Sequence, residues 1–139
     1  FVLWSFGVTL ERVWGSRTFL SFYLACSVAG SLGHWLASAW LLHSSDLPAL
    51  GASGAVCGLL MAFGLQFPKA TILVFGIVPV PALIAVLGLV AFDAFGLIEQ
   101  THAMRAGGIG HGAHLAGGLC GAILWFVVLR HRLVGRDRA

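Results

Sequence analysis

Long apolar runs alternate with short polar segments along the chain. A helix of about 20 apolar residues crosses the hydrocarbon core of a bilayer. The runs therefore predict a full span at 18–42, a short helix at 51–67, a span at 81–97 and a last span at 112–129. Residues 1–10 have the pattern of half a span, which ends at Glu11-Arg12 and the Gly15-Ser16 turn.

The segments between these runs are polar or contain proline. The polar ones lie at 43–50, 68–70 and 98–110. Because proline is favoured at the first position of a helix, Pro81 is expected to begin the third complete helix. The whole pattern predicts an all-α polytopic membrane helix bundle with about five spans. Residues 1–139 are expected to form one transmembrane domain that is truncated at its N-terminus, since the chain begins inside an apolar run.

The composition is that of a membrane protein. Hydrophobic residues make up 59% of the 139 residues and charged residues only 9%. In soluble domains, about a quarter of the residues are charged. Such a chain has too little polar surface to cover a water-soluble globule. Neither disorder nor a nucleic-acid-binding module fits these numbers. We therefore expect the lipid bilayer to be a partner of the chain and nucleic acid not to be one.

Positive charges are concentrated on one side of the predicted bundle. If loops alternate between sides, the segments 11–17, 68–70 and the C-terminal tail share one side, and the loops at 43–50 and 98–110 share the other. The first side carries Arg12, Arg17, Lys69, Arg130, Arg132, Arg136 and Arg138. The second side carries only Arg105, which makes it the outer side by the positive-inside rule. We expect a bacterial cell (inner) membrane, a cytoplasmic C-terminus, and outer-side starts for the short helix and the last helix.

Two short motifs open these two helices. The short helix starts with Gly51-Ala52-Ser53-Gly54, and the last one starts with Ala113-His114-x-x-Gly117-x-x-x-Gly121. Small residues let membrane helices approach closely, which is the simplest interpretation of the serine motif alone. His111 and His114 also fit roles in packing or in a weak metal pair. No carboxylate near them in the sequence completes a zinc site, so we expect no metal.

Together, the two motifs suggest a nucleophile and a base. A serine hydroxyl becomes an effective nucleophile when an imidazole accepts its proton. Ser53 and His114 lie on different helices that are expected to begin on the same side of the membrane. This placement allows the two side chains to face each other.

The residues around these side chains are expected to support them. The first N–H groups of a helix have no partner within it and can face a developing oxyanion. The residues expected to give this backbone support are Gly51, Ala52 and Ser53. The glycines expected to let the two helices pack closely are Gly54, Gly117 and Gly121, together with Gly58.

These motifs resemble those of the rhomboid family of intramembrane serine proteases. The further landmarks are Glu11-Arg12-x-x-Gly15-Ser16, Phe19, Tyr23 and Phe92-Asp93-x-Phe95-Gly96. The resemblance implies a six-helix bundle in which Ser53 is the nucleophile and His114 the general base. It also implies cleavage of transmembrane protein substrates near the outer membrane face, without a cofactor.

The chain departs from the family pattern at two places. The family's first helix and a His-x-x-x-Asn motif that assists the oxyanion hole would precede Phe1. Many members carry a tyrosine four residues after the nucleophile, where this chain has Cys57, one of three cysteines that we interpret as packing residues. Asp93 lies within a span, and the resemblance assigns it a structural hydrogen bond.

Two other functions remain open beside an endopeptidase. A catalytically inactive rhomboid-like protein that binds transmembrane clients would normally lack the serine or the histidine, and this chain has both. A transporter would show charged or interrupted helices at the midplane and inverted repeats. In this sequence Asp93 and His34 are the only midspan candidates, and no repeat is visible.

Overall fold

The described part of the chain is almost entirely helical. The computed structural model describes residues 2–42, 52–74, 76–103 and 110–129. Its α-helices are α1 (Val8–Trp14), α2 (Ser16–Leu36), α3 (Ser53–Gln66), α4 (Ala82–Ala103) and α5 (His111–Leu124). Three π-helical segments extend them: Leu3–Gly7 before α1, Ala37–Leu41 after α2, and Trp125–Leu129 after α5.

Three of these helices are long and apolar enough to cross a membrane. They are Ser16–Leu41, Ala82–His102 and His111–Val128. Helix α3 is apolar but shorter, with 14 residues. Large apolar side chains on α2, such as Leu24, Val28 and Leu32, are more than half exposed, as expected where lipid replaces water. The prediction of an all-α membrane helix bundle is confirmed.

The predicted helix bounds differ from the observed ones mainly in α4. The sequence predicts a loop for the polar residues from Glu99 to His102, but α4 continues through them to Ala103. Thr101 donates its hydroxyl to the carbonyl of Ile98 at 2.6 Å, so its polar group is satisfied without leaving the helix. Polarity alone therefore does not mark the end of this helix.

A small hairpin between α3 and α4 is absent from the sequence prediction. Strand β1 (Thr71–Val74) pairs antiparallel with β2 (Val78–Pro81), from Thr71 opposite Pro81 to Val74 opposite Val78. β-Branched residues are common in both strands and favour extended structure. Gly76 has a φ of +74°, which suits a tight turn between them. Pro81, which was expected to begin a helix, is the last residue of β2, and α4 begins at Ala82. Proline is tolerated in this two-stranded sheet because both strands are edge strands.

The centre of the bundle is formed by α2, α3 and α5, whose facing surfaces are built largely of small residues. The fully buried apolar residues here include Cys26 of α2 and Ala55, Leu59 and Ala62 of α3. Helix α4 packs on the outside of α3 and α5. Small side chains bring the helix backbones close together, and this determines where the polar groups of the bundle can meet.

Candidate active site

Ser53 lies in the first turn of α3, at an N-terminal end that no side chain of the described residues caps. Ser53 is the first residue of α3 and is exposed. Ala52 precedes it with φ −81° and ψ 16°, and its side chain does not cap the helix. The carbonyl of Ala52 accepts the N–H of Val56 at 3.1 Å, so the regular ladder starts only there. Gly51 lies outside the described residues.

The N-terminal turn of α5 directs two histidines towards one carboxylate. His111 is the first residue of α5, and the backbone N–H of His114 donates to the carbonyl of Gly110 at 3.1 Å. The Nδ1 atom of His111 lies 2.7 Å from Oδ1 of Asp93, and the Nδ1 atom of His114 lies 2.9 Å from the same oxygen. Asp93 belongs to α4 and is only 2% exposed.

This arrangement fixes the proton on each imidazole. A carboxylate accepts hydrogen bonds, so the Nδ1 atom of each histidine carries a proton and donates a hydrogen bond to Asp93. In a neutral His114 the Nε2 atom then keeps its lone pair and can accept a proton. A buried carboxylate in a membrane protein is costly unless it is paired, and the two imidazoles supply that pairing.

Helix α4 is shaped to hold this cluster. The ring of His111 packs edge-on against Phe92, with ring centroids 5.7 Å apart. A Cβ atom at Gly96 would collide with the His111 ring. The Phe92-Asp93-x-Phe95-Gly96 landmark thus supplies an aromatic neighbour, a carboxylate and the space for an imidazole. The resemblance assigns Asp93 a structural hydrogen bond, but its two histidine partners could not be predicted, because they are 18 and 21 residues away from it along the chain.

Helices α3 and α5 meet through their backbones. A Cβ atom at Gly54 would stand 3.0 Å from the carbonyl oxygen of Ala113. Cβ atoms at Gly117 and Gly121 would collide with the carbonyl oxygens of Gly54 and Gly58, respectively. Only glycine fits at Gly117 and Gly121, and a side chain at Gly54 would be tight, so the starts of the two helices that carry Ser53 and His114 lie side by side.

Helix α2 packs against both α3 and α5 next to this contact. A Cβ atom at Gly30 would stand 3.1 Å from the Cα atom of Gly54 and 3.2 Å from the carbonyl oxygen of Ala113. A Cβ atom at Gly33 would collide with the side chain of Ala116. Gly30 and Gly33 lie outside the two helix-start motifs, so the sequence gives no signal that they belong to the site.

The position of Cys57 shows that the face of α3 that carries Ser53 is turned towards His114. It lies one helical turn after Ser53, so the two residues share a face of α3. Its sulfur, a carboxylate oxygen of Asp93 and a ring nitrogen of His114 all lie within 4.8 Å of one another. The face of α3 that carries Ser53 therefore faces His114. No hydrogen bond joins Ser53 to His114 in the described part of the chain, and such bonds are often long in enzymes without substrate.

Comparison with known proteins connects this geometry to one family. The family described as Rhomboid domain matches residues 1–131. Rhomboid protein 1, mitochondrial, of Saccharomyces cerevisiae is 39% identical over 132 residues, which cover 90% of this chain and 35% of that protein. RHOMBOID-like protein 12, mitochondrial, of Arabidopsis thaliana is 28% identical, with 94% and 41% covered. Presenilin-associated rhomboid-like protein, mitochondrial, of Homo sapiens is 28% identical, with 99% and 35% covered.

The chain thus spans about a third to two fifths of the length of these relatives. No solved structure matches it. The relatives contradict the expectation of a bacterial cell membrane, because their names place them in mitochondria. That expectation was wrong for a physical reason: the distribution of Lys and Arg reports the side from which helices insert, and it does not identify the membrane. The C-terminal tail assigned to the cytoplasm lies outside the described residues.

Proposed function

The chain belongs to the rhomboid family, and from this premise we propose that it is an intramembrane serine endopeptidase with Ser53 as nucleophile and His114 as general base. The observation that carries the proposal is the hydrogen bond from Nδ1 of His114 to Asp93 beside a glycine-to-glycine contact of α3 and α5. The hydrogen bond orients the imidazole of His114, and the glycine contact brings α5, which carries His114, against α3, which carries Ser53.

The proposed reaction follows the usual course of acyl transfer. The Nε2 atom of His114 takes the hydroxyl proton of Ser53 while the Oγ atom attacks the scissile carbonyl carbon. The resulting oxyanion faces the N–H groups of the first turn of α3. His114 then gives its proton to the leaving amine, and a water molecule hydrolyses the acyl-enzyme by the same steps.

Asp93 acts in this mechanism as a positioning residue. It does not touch the reacting atoms, but it holds His114 in the tautomer that leaves Nε2 free to accept a proton. It also faces the imidazolium that forms when Ser53 loses its proton, and a carboxylate stabilises that charge. The resemblance implied a Ser–His dyad, and the proposal adds this carboxylate behind it.

We propose transmembrane proteins as substrates and a mitochondrial membrane as the location. Three helices of the chain are long and apolar enough to cross a membrane. A polypeptide that reaches Ser53 within such a bundle is most simply the transmembrane helix of another protein. The mitochondrial names of the relatives support the location. Fluorescence microscopy of the tagged full-length protein with a mitochondrial marker tests it, and a purely plasma-membrane signal would contradict it.

One observation favours a second candidate function, that of an inactive protein which binds transmembrane clients. Among the residues that the structure describes, the hydroxyl of Ser53 has no hydrogen bond to His114. If this separation persisted with substrate present, the serine would stay unactivated. Chemical labelling of the serine distinguishes the two functions.

The test is labelling of the full-length protein by a fluorescent phosphonate that reacts with activated serines. We expect labelling and substrate cleavage in the parent protein and neither of them in Ser53→Ala, which removes one oxygen. Ser31→Ala is the matched control, because Ser31 lies on α2 and donates its hydroxyl to the carbonyl of Ser27 at 3.0 Å. Labelling that persists in Ser53→Ala, or a parent that is never labelled or active, would sink the proposal.

A further inference from the structure

Three side chains of different chemistry meet behind the proposed nucleophile. The sulfur of Cys57, a carboxylate oxygen of Asp93 and a ring nitrogen of His114 lie within 4.8 Å of one another, and they come from α3, α4 and α5. We refer to these residues as the thiol–carboxylate–imidazole cluster. The proposed peptidase reaction uses the imidazole and the carboxylate of this cluster, but it leaves the thiol without a role.

We propose that the thiol–carboxylate–imidazole cluster binds a zinc-class divalent cation. Zinc takes cysteine sulfur at about 2.3 Å and imidazole nitrogen or carboxylate oxygen at about 2.0–2.2 Å. Ligand atoms at such distances around one ion lie within about 4 Å of each other, so closing the cluster onto an ion requires only small side-chain movements.

The charges of the cluster suit a dication. On binding, the Cys57 thiol loses its proton to solvent and forms a thiolate–metal bond, since the thiolate is the metal ligand. One thiolate, one carboxylate and one neutral imidazole then balance the two positive charges of the ion. Neutrality matters here because Asp93 is only 2% exposed, and a net charge in such surroundings is costly.

The site also has an access path and a supporting partner. The His114 side chain is 15% exposed, and Ser53 at the start of α3 is exposed, so the cluster opens towards that end of the bundle. His111 donates to the same Asp93 oxygen at 2.7 Å and would hold the carboxylate while it binds the metal. Three protein ligands leave a fourth position for water, as in zinc sites that are not closed.

The consequence for catalysis rests on the proposed function. If the metal binds Nδ1 of His114, the remaining proton of the neutral ring must sit on Nε2, and if it binds Nε2, that atom is blocked. In both cases the imidazole can no longer take the proton of Ser53. Zinc at this cluster would therefore inhibit the peptidase reversibly.

Metal binding is tested without reference to activity by titrating the full-length protein in detergent with Co²⁺. A cobalt ion bound by a thiolate gives a near-ultraviolet charge-transfer band. We expect this band at one equivalent of metal, its loss in Cys57→Ala, and its displacement by Zn²⁺. Cys120→Ala is the matched control, because Cys120 is a partly buried cysteine of α5 outside the cluster. Absence of the band, or a band that survives in Cys57→Ala, would overturn the proposal.

Inhibition is measured separately, as the Zn²⁺ concentration that halves each variant's own metal-free cleavage rate. Loss of a metal ligand should raise this concentration at least about tenfold in Cys57→Ala, while Cys120→Ala should stay within about twofold of the parent. Equal sensitivity of all three proteins, or stimulation by Zn²⁺, would contradict inhibition through this cluster. If the protein proves to have no peptidase activity, the proposed function fails while the cobalt spectrum still decides the metal site.

Discussion

Replacing Asp93 with asparagine tests the central hydrogen bond of the candidate site. Asp93→Asn keeps the size and one carbonyl oxygen of the side chain but removes its negative charge. Both imidazole Nδ1 atoms lie within 2.9 Å of the affected oxygen, so both lose a charged acceptor. In addition, the new amide can donate to Nδ1 of His114, which would move the ring proton to Nε2, the nitrogen proposed to act as the base.

The expected loss can be worked from the bond to His114. A hydrogen bond to a charged group contributes about 1.5–3 kcal/mol, and here that stabilisation is largest when the imidazolium forms. Since about 1.4 kcal/mol corresponds to a factor of ten, we expect kcat to fall roughly 10- to 150-fold in Asp93→Asn. KM should change little, because Asp93 is only 2% exposed and acts on His114, not on the substrate, in the proposed mechanism.

The assay is cleavage of a transmembrane substrate by the full-length protein in liposomes, with kcat and KM determined separately. Glu99→Gln is the matched control, because Glu99 is an exposed carboxylate on the same helix. The ¹⁵N resonances of the His114 ring should show the proton on Nδ1 in the parent and a changed tautomer population in the variant. A folded Asp93→Asn protein with kcat within twofold of the parent and an unchanged ring tautomer would refute the reasoning.

Three further predictions concern single contacts. His114→Ala should abolish phosphonate labelling because the serine loses its base, whereas His111→Ala should lower Tm but keep most activity; the reverse pattern would mean that His111 is the base. Gly117→Ala should abolish cleavage of the substrate, since a methyl group there meets the backbone of α3, while Gly118→Ala has room and should behave as the parent in the same cleavage assay. Trp125→Phe removes a 2.8 Å hydrogen bond to a side chain of α3 and should cost about 1 kcal/mol of stability in reversible unfolding; an unchanged stability would show that the bond contributes nothing.

The spans could be predicted from the sequence because apolar length is a local property of the chain. The predicted span at 18–42 corresponds closely to the apolar helix Ser16–Leu41. The hairpin of β1 and β2 could not be predicted in the same way. Its apolar residues fit both a strand and a buried helix, and only the pairing of Thr71 with Pro81 distinguishes the two.

The candidate site, too, could be predicted from the sequence only in part. Ser53 and His114 stand in short motifs that are visible in the sequence, so a role could be assigned to each of them. Asp93 also stands in a visible motif, but its pairing with His114 could not be predicted, because Asp93 lies on another helix and its distance from His114 depends on how α4 packs against α5. The same is true of Cys57, whose neighbours at the cluster are all on other helices.

The shortness of α3 makes bilayer thickness a variable of the proposed reaction. A helix of 14 residues is about 21 Å long, whereas the hydrocarbon core of a typical bilayer is about 30 Å thick. With its Gln66 end at one interface, the helix brings Ser53 to a depth about 9 Å below the opposite interface. Water must then reach that depth, or the lipid around the protein must thin to meet it. Vesicles made from lipids with shorter acyl chains would shorten the path of water to Ser53, so the lipid itself becomes part of the catalytic environment.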